Sequence, residues 1–98
     1  MRSRYTAYAL NNLDYIMATT HPDSPHFSNN SVEWRRDLES FSLNTQFAGL
    51  QVLSVELDTV TFRATLLELA APKRDISFTE CSLFRRVNGR WLYVEAIR

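Results

Sequence analysis

Residues 84–93 read Phe84-Arg85-Arg86-Val87-Asn88-Gly89-Arg90-Trp91-Leu92-Tyr93, which places an Asn-Gly pair between two runs rich in β-forming residues. A two-residue type I′ turn needs positive φ at both positions, and Asn followed by Gly is the preferred pair for it. The stretch therefore predicts a β-hairpin. The turn sets the cross-strand partners as Val87 with Arg90, Arg86 with Trp91, and Phe84 with Tyr93.

The alternation of apolar and polar residues continues upstream of the hairpin as far as Gly49. Two alternating runs flank a predicted turn at Asp58-Thr59, with the apolar positions Leu53, Val55 and Leu57 before it and Val60, Phe62, Ala64 and Leu66 after it. A second turn at residues 72–75 leads into a strand that carries Ile76, Phe78, Glu80, Ser82 and Phe84 on one face. The pattern predicts a four-stranded antiparallel meander over residues 49–98.

Helical spacing replaces this alternation before residue 49. Apolar residues between Ser3 and Thr20 recur at three- and four-residue steps, and Asn11-Asn12 divides them into two short helices because Asn favours caps over helix interiors. A loop with two prolines follows, and a third helix is predicted over residues 31–45, opened by Asn30 and Glu33 in capping-box spacing. Helices followed by a meander indicate an α+β fold in which the helices cover one face of the sheet.

The composition suits one globular domain and excludes several classes of function. The chain has 98 residues, of which 45% are hydrophobic and 22% charged. Eleven basic residues balance eleven acidic ones, so no net field favours nucleic acid or an anionic membrane surface. A single cysteine, Cys81, allows no internal disulfide, which predicts a soluble protein of the reducing cytoplasm. With only two glycines, nucleotide-binding loops are excluded.

The chain opens with Met1-Arg2-Ser3-Arg4-Tyr5-Thr6-Ala7-Tyr8 and closes on a hairpin that contains Asn88-Gly89-Arg90-Trp91-Leu92-Tyr93-Val94. Together with the stretches at residues 14–16, 19–22, 47–53, 59–64 and 80–84, these segments resemble the central domain of the YchJ-like family of uncharacterised bacterial proteins. Two positions differ from the family pattern: Phe47 replaces a Trp, and Thr79 replaces a His that often precedes the Glu.

The resemblance implies a nuclear transport factor 2-like, cystatin-like fold, in which a curved sheet wraps around helices to form a cone with an interior cavity. Longer members carry SEC-C segments beside this domain, which implies zinc in flanking segments absent from residues 1–98. It also implies one domain of a longer protein, helical over residues 1–48 and a meander over 49–98.

Glu80 is the candidate catalytic residue, because it shares the strand face of Ile76, Phe78 and Phe84 and points into the interior if that face is covered. A buried carboxylate must be paired or protonated. One interpretation is a general acid or base with a raised pKa. The interpretation we favour is structural, with the carboxylate paired to Arg4 or Arg63 or exposed on the outer face.

Candidate ligand-binding residues are an arginine near the head of the first helix and aromatic residues of the interior: Arg4, Tyr5, Tyr8, Phe78, Trp91 and Tyr93. Arg4 is a candidate anion site, although an arginine that pairs with a strand carboxylate is the commoner arrangement. Aromatic residues such as Tyr15 and Trp34 extend the candidate wall, although at this spacing aromatics usually fill a core.

No metal site is predicted within these residues, because His21, His26 and Cys81 lack the short spacing of zinc ligands. We expect Cys81 to be a buried hydrophobic residue and not a nucleophile.

Three functional hypotheses follow. The first is a small-ligand-binding or scaffold module that acts beside SEC-C segments. The second is a small isomerase, dehydratase or hydrolase that uses Glu80. The third is an interaction domain that forms a homodimer through the sheet, because the face opposite Glu80 is predicted to carry Leu83, Val87, Leu92, Val94 and Ala96.

Overall fold

Helices precede strands in the computed structural model, which describes residues 1–70 and 72–97. The helices are α1 (Arg2–Ala9), α2 (Leu13–Ala18) and α3 (Ser31–Leu43). The strands are β1 (Thr45–Val55), β2 (Thr59–Glu68), β3 (Arg74–Asp75), β4 (Phe78–Val87) and β5 (Arg90–Ala96). This order confirms the predicted α+β fold.

Asparagines set the boundaries of the helices, as predicted. Asn11 has a φ of 57°, and the side chain of Asn12 caps α2 by accepting the backbone N–H of Tyr15 at 3.3 Å. Asn30 caps α3 by accepting the N–H of Glu33 at 3.1 Å. The Asn30 amide also donates to the Glu33 carboxylate at 3.2 Å. The second bond of this capping box therefore joins the two side chains, whereas in the usual form the backbone N–H of the N-cap residue donates to the carboxylate.

The sheet is an antiparallel meander in the order β1-β2-β4-β5, and the two-residue β3 pairs with the end of β2. The terminal hairpin has the predicted register, with Val87 opposite Arg90, Arg86 opposite Trp91, and Phe84 opposite Tyr93. Asn88 and Gly89 have φ values of 51° and 78°, which are the positive values that a type I′ turn requires.

Three details of the first half of the sheet differ from the prediction. The predicted boundary between residues 48 and 49 lies inside β1, because residues 45–47 already pair with residues 66–68 of β2. The turn occupies residues 56–58 and Thr59 begins β2, because Val55 pairs with Val60. Finally, the predicted apolar face of Leu53, Val55 and Leu57 is 49%, 68% and 94% exposed, since a register shift after Val52 interrupts the alternation.

A β-bulge near the end of β5 also changes the predicted outer face of the sheet. Leu83 pairs with Glu95 whereas Phe84 pairs with Tyr93, so Val94 is an extra residue between them. Beyond the bulge Ala96 pairs with Ser82, which lies on the same side of β4 as Glu80. Ala96 therefore does not belong to the face opposite Glu80.

The helices cover the sheet face whose centre is formed by Phe62, Ala64 and Leu66 of β2, all at most 4% exposed. Tyr5 of α1 packs against this cluster. Because Phe62 pairs with Glu80 and Ala64 pairs with Phe78, the covered face is the one that carries Glu80. No helix within the described residues combines the length and apolar character needed to cross a bilayer.

The segment after α2 is joined to β5 through its backbone. The N–H of Tyr93 donates to the carbonyl of Thr19 at 2.7 Å, and the N–H of His21 donates to the carbonyl of Tyr93 at 2.8 Å. Thr20 and Tyr93 form a parallel bridge at this point. The end of α2 is thereby held beside the Tyr93 side chain.

Candidate functional site

A cavity of about 410 Å³ lies between the helices and the covered face of the sheet. Six of the residues that the sequence singles out contribute to its wall: Arg4, Tyr5, Tyr8, Phe78, Glu80 and Tyr93. They come from α1, β4 and β5, so the fold brings together positions that are up to 89 residues apart in the chain. The lining is predominantly aromatic and aliphatic, and its charged side chains are Arg4, Asp37 and Glu80.

Trp91 lies outside the cavity, which corrects its predicted place in the wall. It is 48% exposed, and the guanidinium of Arg86 lies 6.0 Å from its ring. Trp91 shares a strand face with Tyr93 but lies about 7 Å further along β5, toward the hairpin turn. Tyr15 also lies outside the wall, with its hydroxyl donating to Ser3 Oγ at 2.6 Å, whereas Trp34 contributes to the wall.

Arg4 is buried, at 7% exposure, and its contacts are with uncharged groups. Its Nη1 donates to Thr19 Oγ1 at 2.7 Å, to Thr20 Oγ1 at 3.3 Å and to the Ile16 carbonyl at 3.3 Å. Its Cζ lies 4.8 Å from the centre of the Tyr93 ring, within the range of a cation–π contact. The predicted pair between Arg4 and a strand carboxylate is absent among the described residues.

The hydroxyls that hold Arg4 are themselves fixed by the end of α2. Thr19 Oγ1 donates to the carbonyl of Tyr15 at 2.7 Å, and Thr20 Oγ1 donates to the carbonyl of Ile16 at 2.8 Å. Each hydroxyl therefore presents a lone pair to the guanidinium. This arrangement orients Arg4 firmly, and it adds no negative charge.

The ionisation of the cavity wall is governed mainly by burial. Burial lowers the pKa of Arg4, an effect that the phenols of Tyr8 and Tyr93 oppose, but an arginine remains protonated in proteins. Burial also raises the pKa of Tyr8, and it raises the pKa of Tyr93 to about 12 with help from the Glu80 charge. At neutral pH both phenols are uncharged hydrogen-bond donors beside a cation.

Glu80 is half-buried, and its Oε2 accepts the hydroxyl of Ser82 at 2.6 Å. The predicted ion pair with Arg4 or Arg63 is not formed: Arg4 bonds to the end of α2, and Arg63 donates to Thr79 at 3.4 Å. Within the described part of the chain the second oxygen, Oε1, has no protein donor. The carboxylate therefore has one oxygen oriented by Ser82 and one available to the cavity.

Tyr5 supplies a buried hydroxyl that has no hydrogen-bond partner among the described residues. Its ring meets Phe47 edge-on at 5.6 Å, and Tyr8 stacks on the same Phe47 at 6.3 Å. A buried hydroxyl without a partner costs about 1–3 kcal/mol, and native structures rarely leave one unsatisfied.

Several residues of the site have no signature in the sequence. Thr19, Thr20 and Ser82 hold the two charged side chains, but their roles depend on contacts that form only in the folded chain. Phe47 is an exception, because it departs from the usual Trp of the family pattern. In the structure its ring contacts the rings of Tyr5, Tyr8 and Phe41.

His21 and His26 lie in the segment between α2 and α3, and Cys81 lies in β4. Nδ1 of His21 accepts the backbone N–H of Asp23 at 2.9 Å, and the ring of His26 lies 6.0 Å from that of Tyr93. Cys81 is buried in β4 at 4% exposure, on the neighbouring strand position to Glu80. His26 also borders the cavity.

Comparison with known proteins identifies relatives over nearly the whole chain. A family model described as the YchJ middle NTF2-like domain matches residues 1–96. A UPF0225 protein of Photorhabdus laumondii is 32% identical over 104 residues, which cover 100% of this chain and 62% of that protein. A UPF0225 protein of Deinococcus radiodurans is 34% identical, over 98% of this chain and 65% of that protein. The chain thus spans less than two thirds of the length of either relative.

Two solved structures are similar to the whole domain. The solution structure of a SEC-C motif containing protein from Rhodopseudomonas palustris has a TM-score of 0.75 and 34% identity, over 98% of this chain and 73% of that chain. A putative calcium/calmodulin dependent protein kinase II association domain from Xanthomonas campestris has a TM-score of 0.61, over 97% of this chain and 78% of that chain. At 16% identity, the second likeness shows a shared fold alone.

These matches confirm the resemblance and the NTF2-like fold that it implied. The relatives are uncharacterised UPF0225 proteins, and no catalysis is shown for the domain. The chain belongs to the family of the YchJ middle NTF2-like domain.

Proposed function

We propose that this domain binds a small, largely apolar organic molecule in the cavity between its helices and its sheet. The observation that carries the proposal is the convergence of buried polar groups on an apolar cavity. The volume of about 410 Å³ lies within the range of small-ligand sites. Arg4, Glu80 and Tyr5 all border it, and each has hydrogen-bonding capacity that the described protein groups leave unused.

The family and the composition support a setting for this binding role. The SEC-C motif containing protein of similar structure supports a domain that works beside SEC-C segments in a longer chain, where those segments would carry any zinc. The single cysteine supports a cytoplasmic location.

Filling the cavity tests the proposal. Ala64 is 2% exposed and borders the cavity, so Ala64→Leu places additional carbon atoms in the ligand's space. Ala48 is exposed on β1, which makes Ala48→Leu a control of equal chemistry outside the cavity. We expect ligand-observed NMR with a library of small organic acids and amides to detect binders to the native domain and to Ala48→Leu, and to lose them with Ala64→Leu. Binders that persist in Ala64→Leu, or a native domain without binders, would contradict the proposal.

A second candidate function is acid–base catalysis by Glu80, which the free Oε1 beside the cavity favours. This hypothesis predicts that Glu80→Gln leaves binding of the identified ligand within about threefold of native while abolishing its turnover. Turnover that survives in Glu80→Gln, or a ligand recovered unchanged from the native domain, would remove the enzyme hypothesis and leave the binding role.

A further inference from the structure

We infer that the ligand is a carboxylic acid with an apolar body, and that its carboxylate binds to the guanidinium of Arg4. The inference rests on the proposed binding function and names the class of molecule that the cavity accepts. It starts from Arg4, a fully charged side chain at 7% exposure whose partners in the described chain are neutral.

Burial of an unpaired charge is unfavourable, and buried arginines are normally matched by a carboxylate, a phosphate or a bound anion. The hydroxyls of Thr19 and Thr20 and the Ile16 carbonyl solvate the guanidinium but do not cancel its charge. The cation–π contact with Tyr93 likewise leaves the net charge in place. A bound anion is the missing counter-charge.

The direction of the hydrogen bonds indicates where the anion binds. The three bonds from Arg4 to the end of α2 all use Nη1. Apart from the Tyr8 phenol, which lies within hydrogen-bonding reach of the guanidinium, Nε and Nη2 have no partner among the described residues. These two atoms form one edge of the planar guanidinium, with two parallel N–H groups that match the spacing of the oxygens in a carboxylate. Arg4 borders the cavity, so a ligand inside it can approach this edge.

Neighbouring phenols provide further donors to the same anion. Tyr8 follows Arg4 by one helical turn on α1, and the Arg4 charge acts directly on its hydroxyl. The Tyr5 hydroxyl is buried in the wall without an acceptor. Carboxylate oxygens accept several hydrogen bonds each, whereas a neutral ligand would leave part of this donor set unused.

Glu80 limits the charge and orientation of the ligand. Its carboxylate borders the same cavity but does not pair with Arg4, and its charge raises the pKa of both Tyr8 and Tyr93. An anion is therefore attracted to Arg4 and repelled from Glu80 and from Asp37, which also borders the cavity. The cost of taking an ion out of water rises with the square of its charge, whereas its attraction to one guanidinium rises only in proportion to the charge. A single negative charge is therefore favoured over the double charge of a phosphate monoester. The apolar body lies against the aromatic wall.

Two probes that differ only in charge test the inference in the native domain. Phenylacetate and phenylacetamide have the same ring and nearly the same shape, and we titrate each into isotope-labelled protein while recording amide chemical shifts. We expect phenylacetate to bind at least about tenfold more tightly than phenylacetamide, with shifts that include Arg4 and Tyr8. Phenyl phosphate should bind more weakly than phenylacetate, and the reverse order would overturn the assignment of a carboxylate.

Matched variants test whether Arg4 is the charge that distinguishes the acid from the amide. Arg4→Met should abolish the preference for the acid, whereas Arg2→Met removes the same charge from an exposed position on α1 and should retain it. Glu80→Gln removes the negative charge of this residue from the cavity wall and keeps the arginine. It should tighten the binding of phenylacetate by about threefold and leave the affinity for phenylacetamide unchanged. A preference that persists in Arg4→Met, or weaker acid binding in Glu80→Gln, would overturn the inference.

The failure of this inference and the failure of the proposed function give different results. Equal binding of the acid and the amide leaves an apolar binding cavity and removes the carboxylate site. Binding of neither probe up to about 10 mM, a concentration that detects even very weak ligands, contradicts both.

Discussion

At the scale of single residues, Arg4 connects the fold with the proposed function. Its guanidinium is fixed by oxygens at the end of α2 and faces the Tyr93 ring. A structural arginine would be placed to lock helix to sheet through a carboxylate, and that carboxylate is absent among the described residues. The contacts instead hold the side chain in the wall of the cavity, at a cost in desolvation.

This view predicts that Arg4→Met has little effect on stability. The variant loses three hydrogen bonds and the cation–π contact, but it also removes the cost of a buried charge, and Met fills a similar volume. We expect the free energy of unfolding in urea to change by less than about 1 kcal/mol. Leu13→Ala on α2, at 4% exposure and away from the cavity wall, serves as a reference for a packed core position and should cost about 3 kcal/mol. A comparable loss in Arg4→Met would make Arg4 a structural residue.

Tyr93 predicts a pH dependence of stability. Because burial and the Glu80 charge raise its pKa from 10.0 to about 12, the folded state holds the phenolic proton more tightly than the unfolded state. The contribution of Tyr93 is therefore complete below pH 10.0 and is lost as the pH rises toward about 12. Tyr93→Phe removes the titrating group, so its free energy of unfolding should fall less steeply over this interval. Equal slopes for the two proteins in urea denaturation would contradict the assignment.

Residue-scale predictions from the sequence were partly successful, for a physical reason. The alternation in β4 identified the strand face of Glu80, because alternation is a local property of a strand. The hydrogen-bond partner of Glu80 was not predicted: an arginine was one of the alternatives, and Ser82 donates instead. Hydrogen-bond partners depend on the packing of distant segments, which periodicity does not specify.

At the scale of elements, the terminal hairpin depends on its turn. Gly89 has a φ of +78°, a conformation that costs an L-residue with a Cβ about 1–2 kcal/mol. We expect Gly89→Ala to lower the free energy of unfolding by about 1 kcal/mol in urea denaturation. Gly49→Ala is the matched control: its Cβ would meet Thr65 at an ordinary 3.9 Å, and the change should be within about 0.5 kcal/mol. Equal effects of the two substitutions would contradict the turn assignment.

The elements were predictable to different degrees. The helix break at Asn11-Asn12 and the hairpin register follow from capping and turn chemistry within a few residues, and both were predicted correctly. The start of β1 at Thr45 depends on its pairing with Glu68, which is distant in the chain. The bulge at Val94 similarly depends on the pairing between two strands, and it moved Ala96 away from its predicted face.

At the scale of the whole molecule, the cavity is a property that no single segment carries. Its wall combines residues of all three helices with residues of β1, β2, β4 and β5. The link between Thr20 and Tyr93 joins the helical layer to the last strand. The sequence supplied the candidate aromatics but indicated that they fill a core. Whether such residues fill space or surround it depends on how far the helices stand from the sheet, which only the assembled fold determines.

The homodimer hypothesis also belongs to this scale, and it makes a distinct prediction. Val87 is 36% exposed on the outer face of the sheet, and the chain has no net charge to oppose self-association. If the sheet pairs two copies, sedimentation velocity should show association that increases with concentration and that Val87→Asp abolishes. Val32→Asp, at a 68% exposed position on α3, should leave association unchanged. A monomer at every concentration removes the hypothesis.

The central claim is that the cavity binds a small molecule, and amide chemical-shift mapping of the isotope-labelled domain with a mixed library of metabolites and small acids tests it most directly. This measurement presumes no reaction and reports where each compound binds. We predict shifts clustered on the residues that border the cavity, including Arg4, Tyr8, Glu80 and Tyr93. Spectra that no compound changes there, or changes confined to the outer face of the sheet, would contradict the claim.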